Sequence, residues 1–355
     1  MTLEDLGYNI NLENYRKDQR LESFNVGRVV SEHKERYVVR TTENEYDAEI
    51  IGNLRFSANN RSDFPAVGDW VAISEYDENK ALIHSVFPRK TIIERQAVGK
   101  QGEKQIIATN IDFAFIVQAV DMDFNINRIE RYLTICNTSK VRPFIILNKI
   151  DLINDIVLTK MISEVQERVK QVPVIAISNE TKKGIERLKE RIEIGKTYCL
   201  LGSSGVGKST LLNNLSGKQL MKTNSISTST NKGRHVTSHR ELIVLENGGI
   251  LIDNPGMREV GIADSTNGIE MTFDEIFELS KNCKFKDCTH TDEIRCAVLE
   301  AVESGEIDKA SYENYLKMER EKEHFESTVA ERRKKDKDFG KMIKNYKKDK
   351  KLKKY

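Results

Sequence analysis

At 355 residues, with 38% hydrophobic and 32% charged residues, the chain has room for two or three domains with cores of their own. No apolar run approaches the roughly 18 residues that span a bilayer, the start Met1-Thr2-Leu3-Glu4-Asp5-Leu6 lacks the basic-then-apolar pattern of a signal peptide, and five cysteines in so long a chain do not make a disulfide framework. A cytoplasmic protein without a membrane partner, acting as a monomer, is expected. The net charge of +2 hides an asymmetry, because residues 332–355 hold thirteen Lys/Arg against three Asp and leave the rest of the chain acidic.

Residues 1–22 are polar, show no clear period and form an N-terminal extension that is in part helical. From residue 23 the pattern changes to short strands at 26–30, 36–41, 46–51, 70–74 and 81–86, broken by Asn, Gly, Asp and Glu clusters. Five short strands in so few residues predict a small β-barrel over 23–99, with the OB-fold as first choice. Such barrels bind nucleic acid on one face, and Tyr37, Tyr46, Phe56, Phe64, Trp70 and Tyr76 are candidate stacking groups, most of them expected to fill the interior instead.

Residues 100–265 alternate strand and helix. The apolar run 113–119, then 143–147, 173–177, 197–201, 242–245 and 250–252, predict strands. Ile126, Ile129, Leu133 and Cys136 share one helical face, and helices are expected at 156–169 and 185–192. A mostly parallel sheet covered on both faces follows, with ligands at the carboxyl ends of its strands.

The motifs fall at those ends. Gly202-Ser203-Ser204-Gly205-Val206-Gly207-Lys208-Ser209-Thr210 fits the phosphate-loop pattern Gly-x-x-x-x-Gly-Lys-[Ser/Thr] between a strand and a helix start. Glycines let the backbone curl so that its N–H groups face a polyphosphate. Lys208 would reach the β- and γ-phosphates, and the Ser209 hydroxyl would take a magnesium position.

Asn148-Lys149-Ile150-Asp151, directly after a strand, is a guanine reader. The Asp151 carboxylate accepts from N1–H and the N2 amine, donors that adenine lacks there. Asn148 would face N7, and the Lys149 stem would lie over the base. At the next strand end stands Ser178-Asn179, where GTPases carry Ser-Ala and use a backbone N–H for guanine O6; Asn179 departs from that pair. Asp253-Asn254-Pro255-Gly256 matches Asp-x-Pro-Gly, in which Asp253 supports the magnesium shell and Gly256 hinges toward the γ-phosphate. The stretch 228–238 lies where a first switch belongs, and Thr237 is the candidate magnesium and γ-phosphate sensor. The motif order is rotated relative to an ordinary GTPase, which indicates circular permutation. The second switch then runs directly into the C-terminal region.

That region, 266–331, is predicted to be helical. It holds Cys283-x4-Cys288-x-His290-x5-Cys296, a closed three-thiolate, one-imidazole set suited to a single structural zinc ion. Cys136 and Cys199, each in an apolar segment, are expected as core thiols. The basic tail 332–355 binds nucleic acid or serves as a solvated solubility segment.

Together these elements resemble the ribosome small subunit-dependent GTPase A family, over about residues 24–325. The likeness rests on Val67-Gly68-Asp69-Trp70-Val71, Asp123-Phe124-Asn125 with Arg128 and Arg131, Gly233-Arg234-His235, and the motifs above. The resemblance implies an OB-fold, a permuted GTPase domain and a zinc-containing helical domain. It implies that the chain binds GTP and GDP, works with magnesium, and acts with the small (30S) ribosomal subunit and its rRNA in late maturation. Hydrolysis would be stimulated by that subunit. The first switch here is Gly233-Arg234-His235-Val236-Thr237-Ser238 where the family carries Gly-Arg-His-Thr-Thr-Thr. Met257 stands where many GTPases place a water-orienting glutamine, and the resemblance puts His235 in that role; His235 contacting RNA or solvent is the alternative. Two functions are weighed: a GTP-hydrolysing assembly factor, and a non-catalytic RNA-binding module gated by guanine nucleotide. An ATP-dependent kinase is disfavoured by Asp151.

Overall fold

The computed structural model describes residues 1–33, 36–58, 60–96, 104–121, 124–219, 241–253 and 266–326, with backbone only at 95, 96, 104, 253, 325 and 326. The chain opens with helix α1 (Ile10–Asp18), capped by the Asn9 side chain on the N–H groups of Asn11 and Leu12. Strands β1 (Asn25–His33), β2 (Arg36–Arg40) and β3 (Glu45–Ile50) follow, then helix α2 (Gly52–Ser57) and strands β4 (Trp70–Asp77) and β5 (Lys80–Val86). They pair in the circuit β1-β2-β3-β5-β4-β1, the closed five-stranded barrel of an OB-fold.

Alternation sets the two sides of this barrel. Val29, Tyr37, Val39, Tyr46, Ala48, Ile50, Val71, Ile73, Ala81 and Ile83 fill the interior. Trp70 and Ala72 point the other way, yet they are buried too, because Leu6, Tyr8 and Leu12 of the N-terminal segment lie over them with Phe87. The first residues are therefore an outer layer of the barrel. The fully buried Arg28 guanidinium locks this layer: Nη1 donates to the Leu6 carbonyl at 2.6 Å, Nε to Gly68 at 3.2 Å, and Nη2 to the Asn110 carbonyl at 3.3 Å and Thr197 Oγ1 at 2.9 Å.

A hairpin of β6 (Ile92–Gln96) and β7 (Lys104–Thr109) leads into the α/β part. There follow β8 (Phe113–Ala119), α3 (Ile126–Thr138), β9 (Arg142–Asn148), α4 (Asp155–Arg168), β10 (Val174–Ala176), α5 (Ile185–Lys189), β11 (Thr197–Leu201), α6 (Lys208–Ser216), β12 (Glu241–Val244) and β13 (Ile250–Asp253). The sheet order is β10-β9-β8-β11-β13-β12, parallel throughout except for β12, which runs against β13. β8 is buried along its whole length and splits by parity. Ala114 and Ile116 join the core with Ile129 and Leu133 of α3 and Val165 of α4. Phe113, Phe115, Val117 and Ala119 join Leu188 of α5 and Leu211, Leu212 and Leu215 of α6 on the other face. Cys136 and Cys199 are buried in the first of these cores, as the apolar context predicts.

The C-terminal helices are α7 (Thr266–Thr272), α8 (Asp274–Ser280), α9 (Ala297–Ser304) and α10 (Lys309–Glu326), with a core built on Ile269, Phe273, Ile276, Val298, Ile307 and Met318. They dock on α3. Glu130 is the centre of the joint: Arg168 Nη2 donates to it at 2.7 Å and Nε at 3.0 Å, Asn314 at 2.6 Å and Ser311 at 3.0 Å. Burial pushes the Glu130 carboxyl up from its ordinary value, and these donors pull back. Arg131 forks onto both Glu321 oxygens at 2.7 and 2.6 Å, and Thr134 and Asn137 bond Thr272. Glu130→Ala is expected to cost about 3 kcal/mol in chemical denaturation, because the half-buried Arg168 would lose its close carboxylate and keep only Asn127 and the more distant Asp308, while Ser311 and Asn314 lose their acceptor; a shift below about 1 kcal/mol would show the pair to be dispensable.

Candidate functional site

The phosphate loop leaves β11 at the centre of the sheet, between β8 and β13, where a parallel sheet opens a crevice at its carboxyl edge. Its backbone takes conformations reserved for glycine. Gly202 has φ +146°, and a Cβ there would lie 2.3 Å from the Val117 carbonyl; Gly207 has φ +96°, and a Cβ there would lie 2.3 Å from Asn148 Nδ2. Gly205 at φ +81° has nothing within 4 Å of such an atom and turns through open space. Ser203, Ser204, Ser209 and Thr210 are half-buried, and Val206 is buried beneath the loop. Lys208 Nζ donates back to the carbonyls of Gly202 at 2.8 Å and Ser203 at 2.5 Å, so the ammonium is held inside the loop.

The Asn148–Asp151 tetrad sits two strands away in chain order and next to the loop in space. Asn148 ends β9, and its Nδ2 donates to the Val206 carbonyl at 2.7 Å. Lys149 adopts φ +66° and reaches Asp121 beyond the end of β8, Nζ to Oδ2 at 2.7 Å. Ile150 is buried and anchors the turn, whereas Asp151 is exposed, its Oδ1 accepting from the buried Ser178 hydroxyl at 2.5 Å. Ser178 Oγ also accepts the Thr181 N–H at 3.0 Å. That pairing aims the Asp151 carboxylate and leaves its outer side open. Asn148, Lys149, Asp151, Ser178 and the loop residues 202–210 thus lie along one edge.

Asp253 ends β13, beside the strand that feeds the loop, in parallel register through Cys199 and Ile252. His235 and Thr237, with the stretch 228–238, lie outside the described residues, as do Gly256, Met257, Asp123 and the tail 332–355.

Three further residues meet this edge, of which the sequence singles out Asn179 and Arg128 without showing these contacts and does not single out Asn214. Asn179 donates from Nδ2 to the Gly207 carbonyl at 2.9 Å, and Asn214 of α6 donates to Asn179 Oδ1 at 3.0 Å. Arg128, at the start of α3, approaches Ser203 Oγ at 3.5 Å. Asn214 leaves a faint signal, an asparagine in a helix interior where it is a poor helix former.

The Cys/Cys/His/Cys set gathers between α8 and α9. The four ligand atoms lie within 4.8 Å of one another. His290 Nδ1 is 3.6 Å from Cys283 Sγ and 3.4 Å from Cys296 Sγ, and those sulfurs are 3.8 Å apart. Ligands about 2.0–2.3 Å from one zinc ion at tetrahedral angles stand roughly 3.4–3.8 Å from each other, so Cys283, His290 and Cys296 already have that spacing, and the Cys288 sulfur lies within 4.8 Å of them. Burial lowers the His290 pKa, which keeps the imidazole neutral and able to ligate. Burial together with the neighbouring thiols pushes Cys288 up to about 12, a shift that a dication would reverse. The Tyr312 hydroxyl donates to the His290 carbonyl at 2.5 Å and ties the cluster to α10.

Comparison with known proteins agrees with this geometry. The family described as RsgA GTPase matches residues 86–263. A protein of Lactiplantibacillus plantarum named small ribosomal subunit biogenesis GTPase RsgA 2 is 44% identical over 294 residues, 83% of this chain and 82% of that one. The chain belongs to the RsgA GTPase family. The crystal structure of YjeQ from Thermotoga maritima, 28% identical, superposes with a TM-score of 0.60 over 83% of this RsgA-family chain and 96% of its own. YloQ, described as a circularly permuted GTPase, shares the fold at 23% identity and a TM-score of 0.57, over 86% and 97% of the two chains. An ABC transporter family also matches, over residues 185–351. That span contains the phosphate loop, which unrelated nucleotide-binding proteins share, but not the Asn-Lys-x-Asp tetrad at 148–151.

Gly207→Ala, which combines a strained backbone with collision against two asparagine amides, is expected to weaken GDP binding by at least about tenfold. Equilibrium titration checks this, and wild-type affinity in the variant would contradict the geometry of the loop.

Proposed function

We propose that this chain is a GTP-hydrolysing assembly factor of the small ribosomal subunit, acting late in maturation and leaving after hydrolysis. Its membership of the RsgA GTPase family supports GTP hydrolysis, and the relatives' names place that activity in small-subunit biogenesis. The observation that carries the reading is the bond from Asn148 to Val206, which joins the guanine reader to the phosphate loop in one pocket despite their reversed order along the chain.

In this reading Asp151, oriented by Ser178, accepts from guanine N1–H and N2. The Asn148 amide, with one N–H on Val206, offers its second to N7. The Lys149 stem, stretched toward Asp121, covers the base. The loop from Gly202 to Thr210 cradles the phosphates, and Lys208 turns from its own carbonyls onto the β- and γ-oxygens. Ser209, Asp253 and Thr237 would hold magnesium, which neutralises charge on the phosphates. His235 orients the attacking water in place of the glutamine that Met257 displaces, and Gly256 hinges the second switch toward the C-terminal helices. Cys283, Cys288, His290 and Cys296 hold one structural zinc ion.

The division of labour is 23–99 as an rRNA-binding barrel, 100–265 as the permuted GTPase unit, 266–331 as the zinc unit, and the flanking 1–22 and 332–355. Of the six barrel aromatics, Tyr37, Tyr46 and Trp70 are buried. Phe56, 95% exposed on α2 beside Arg55, and Tyr76 are the ones suited to stacking on RNA. Among the described residues no helix is long and apolar enough to cross a membrane. A cytoplasmic monomer that meets GTP and the subunit in solution fits the role.

The deciding experiment is single-turnover GTP hydrolysis with and without purified small subunits. Stimulation is expected; GTP-dependent subunit binding with no hydrolysis in either condition would favour the non-catalytic module. In the same assay Asp151→Asn should lose GTP by about tenfold or more and gain xanthosine triphosphate, because the amide both donates and accepts where the carboxylate only accepts. For the zinc unit, metal analysis should give one zinc per chain. Cys296→Ser or chelation should lower the melting temperature while leaving GDP affinity in place; a metal-free protein of unchanged stability would remove the structural zinc.

A further inference from the structure

Two consecutive peptide groups of the phosphate loop are held from behind by side-chain amides on the base-reading edge. Asn148 Nδ2 holds the Val206 carbonyl at 2.7 Å, and Asn179 Nδ2 holds the Gly207 carbonyl at 2.9 Å. In a trans peptide the C=O and the following N–H point in opposite directions. A carbonyl fixed toward Asn148 therefore turns the Gly207 N–H to the other side of the loop, and one fixed toward Asn179 does the same for the Lys208 N–H. That side is the one where successive N–H groups form an anion nest at the start of α6.

The second of these ties is built as firmly as the first. Asn214 Nδ2 donates to Asn179 Oδ1 at 3.0 Å and to its backbone carbonyl at 3.1 Å, which fixes the amide with its nitrogen toward Gly207. The Asn179 N–H donates to Asn148 Oδ1 at 3.3 Å, so the two asparagines brace each other. A Cβ on Gly207 would meet Asn148 Nδ2 at 2.3 Å and Asn179 Nδ2 at 2.8 Å, so both amides press on the same glycine. The Gly207 carbonyl also accepts the Leu211 N–H at 2.9 Å, and with Asn179 both of its lone pairs are engaged. An alanine, the usual residue at this place in GTPases, supplies no donor.

We propose that Asn179 is a positioning residue for the phosphate loop. Its side chain sets the Gly207–Lys208 peptide so that the Lys208 N–H faces the β-phosphate, while its backbone N–H is taken by Asn148 Oδ1. Departure from Ser-Ala at this strand end thus adds a phosphate function to a base-reading position. The inference rests on the guanine-nucleotide reading above.

The test is binding of GDP and of inosine diphosphate, which lacks the N2 amine, to the full-length chain and to Asn179→Ala, Asn179→Asp and Asn214→Ala. Asn179→Ala should weaken both nucleotides by the same factor, about 5- to 30-fold. Their affinity ratio and the melting temperature of the nucleotide-free protein should stay as in the wild type. Asn179→Asp should lose more, since it cannot donate and sets a negative charge near the phosphates. Asn214→Ala should lose less, in the same direction, and decides the matter if the Asn179 variants fail to fold. Asn179→Ala binding GDP within about twofold of wild type, or losing GDP relative to inosine diphosphate, would overturn the proposal. A wild-type chain that binds neither nucleotide would overturn the GTPase reading instead.

Discussion

Parallel register at the middle of the α/β sheet is the constraint on which the rest depends. β8, β9, β11 and β13 are hydrogen-bonded side by side and point the same way. Their carboxyl ends therefore share one edge, whatever order the chain visits them in. A loop after β11 and a tetrad after β9 meet because their strands flank β8, not because they are close in sequence. Circular permutation leaves that adjacency untouched and changes only which segments connect the elements. The price falls on the connections: the stretch after β13, which returns to the sheet in an unpermuted GTPase, passes instead to the C-terminal helices.

Those helices also touch the sheet by a second route. α3 approaches Ser203 of the phosphate loop through Arg128 and carries Glu130, Arg131 and Thr134 on the side that meets α7 and α10. One helix is thus shared between the phosphate-loop edge of the sheet and the C-terminal helices. The donors around Glu130 come from one helix of the α/β part, α4, and one of the C-terminal part, α10, so the joint is specific in orientation as well as closed to water. The Cys/Cys/His/Cys cluster is tied by Tyr312 to the same α10 that supplies Ser311 and Asn314.

Much of this was legible in the residues, where a single position has a strict physical demand. The glycines of the loop and the four Cys/His side chains are picked out by spacing alone, and the structure gives the glycines their left-handed backbone and brings the four side chains together. The barrel and the sheet were legible through period-two and all-apolar runs such as 113–119. Other features had no such signal. Leu6, Tyr8 and Leu12 are too few to make a period, and their burial depends on Trp70 lying outside the barrel rather than within it. The close approach of α7 to α3 is another: it depends on the missing side chain of Gly268, since a Cβ there would lie 2.0 Å from Thr138 Oγ1 and 2.6 Å from the Thr134 carbonyl. Asn179 looked like a lapse from Ser-Ala because its partner, the Gly207 carbonyl, is distant in sequence.

The guanidinium of Arg28 has a consequence for how the chain comes to be folded. Its four acceptors are spread along the polypeptide at Leu6, Gly68, Asn110 and Thr197, the last of them 169 residues downstream. A cation sealed from water must have its acceptors in place. During synthesis the barrel strands emerge first, but the socket around this arginine stays open until β11 has been made. Three of its acceptors, and the apolar side chains that the N-terminal layer packs on, lie within the first 110 residues, so β11 completes this socket rather than begins it.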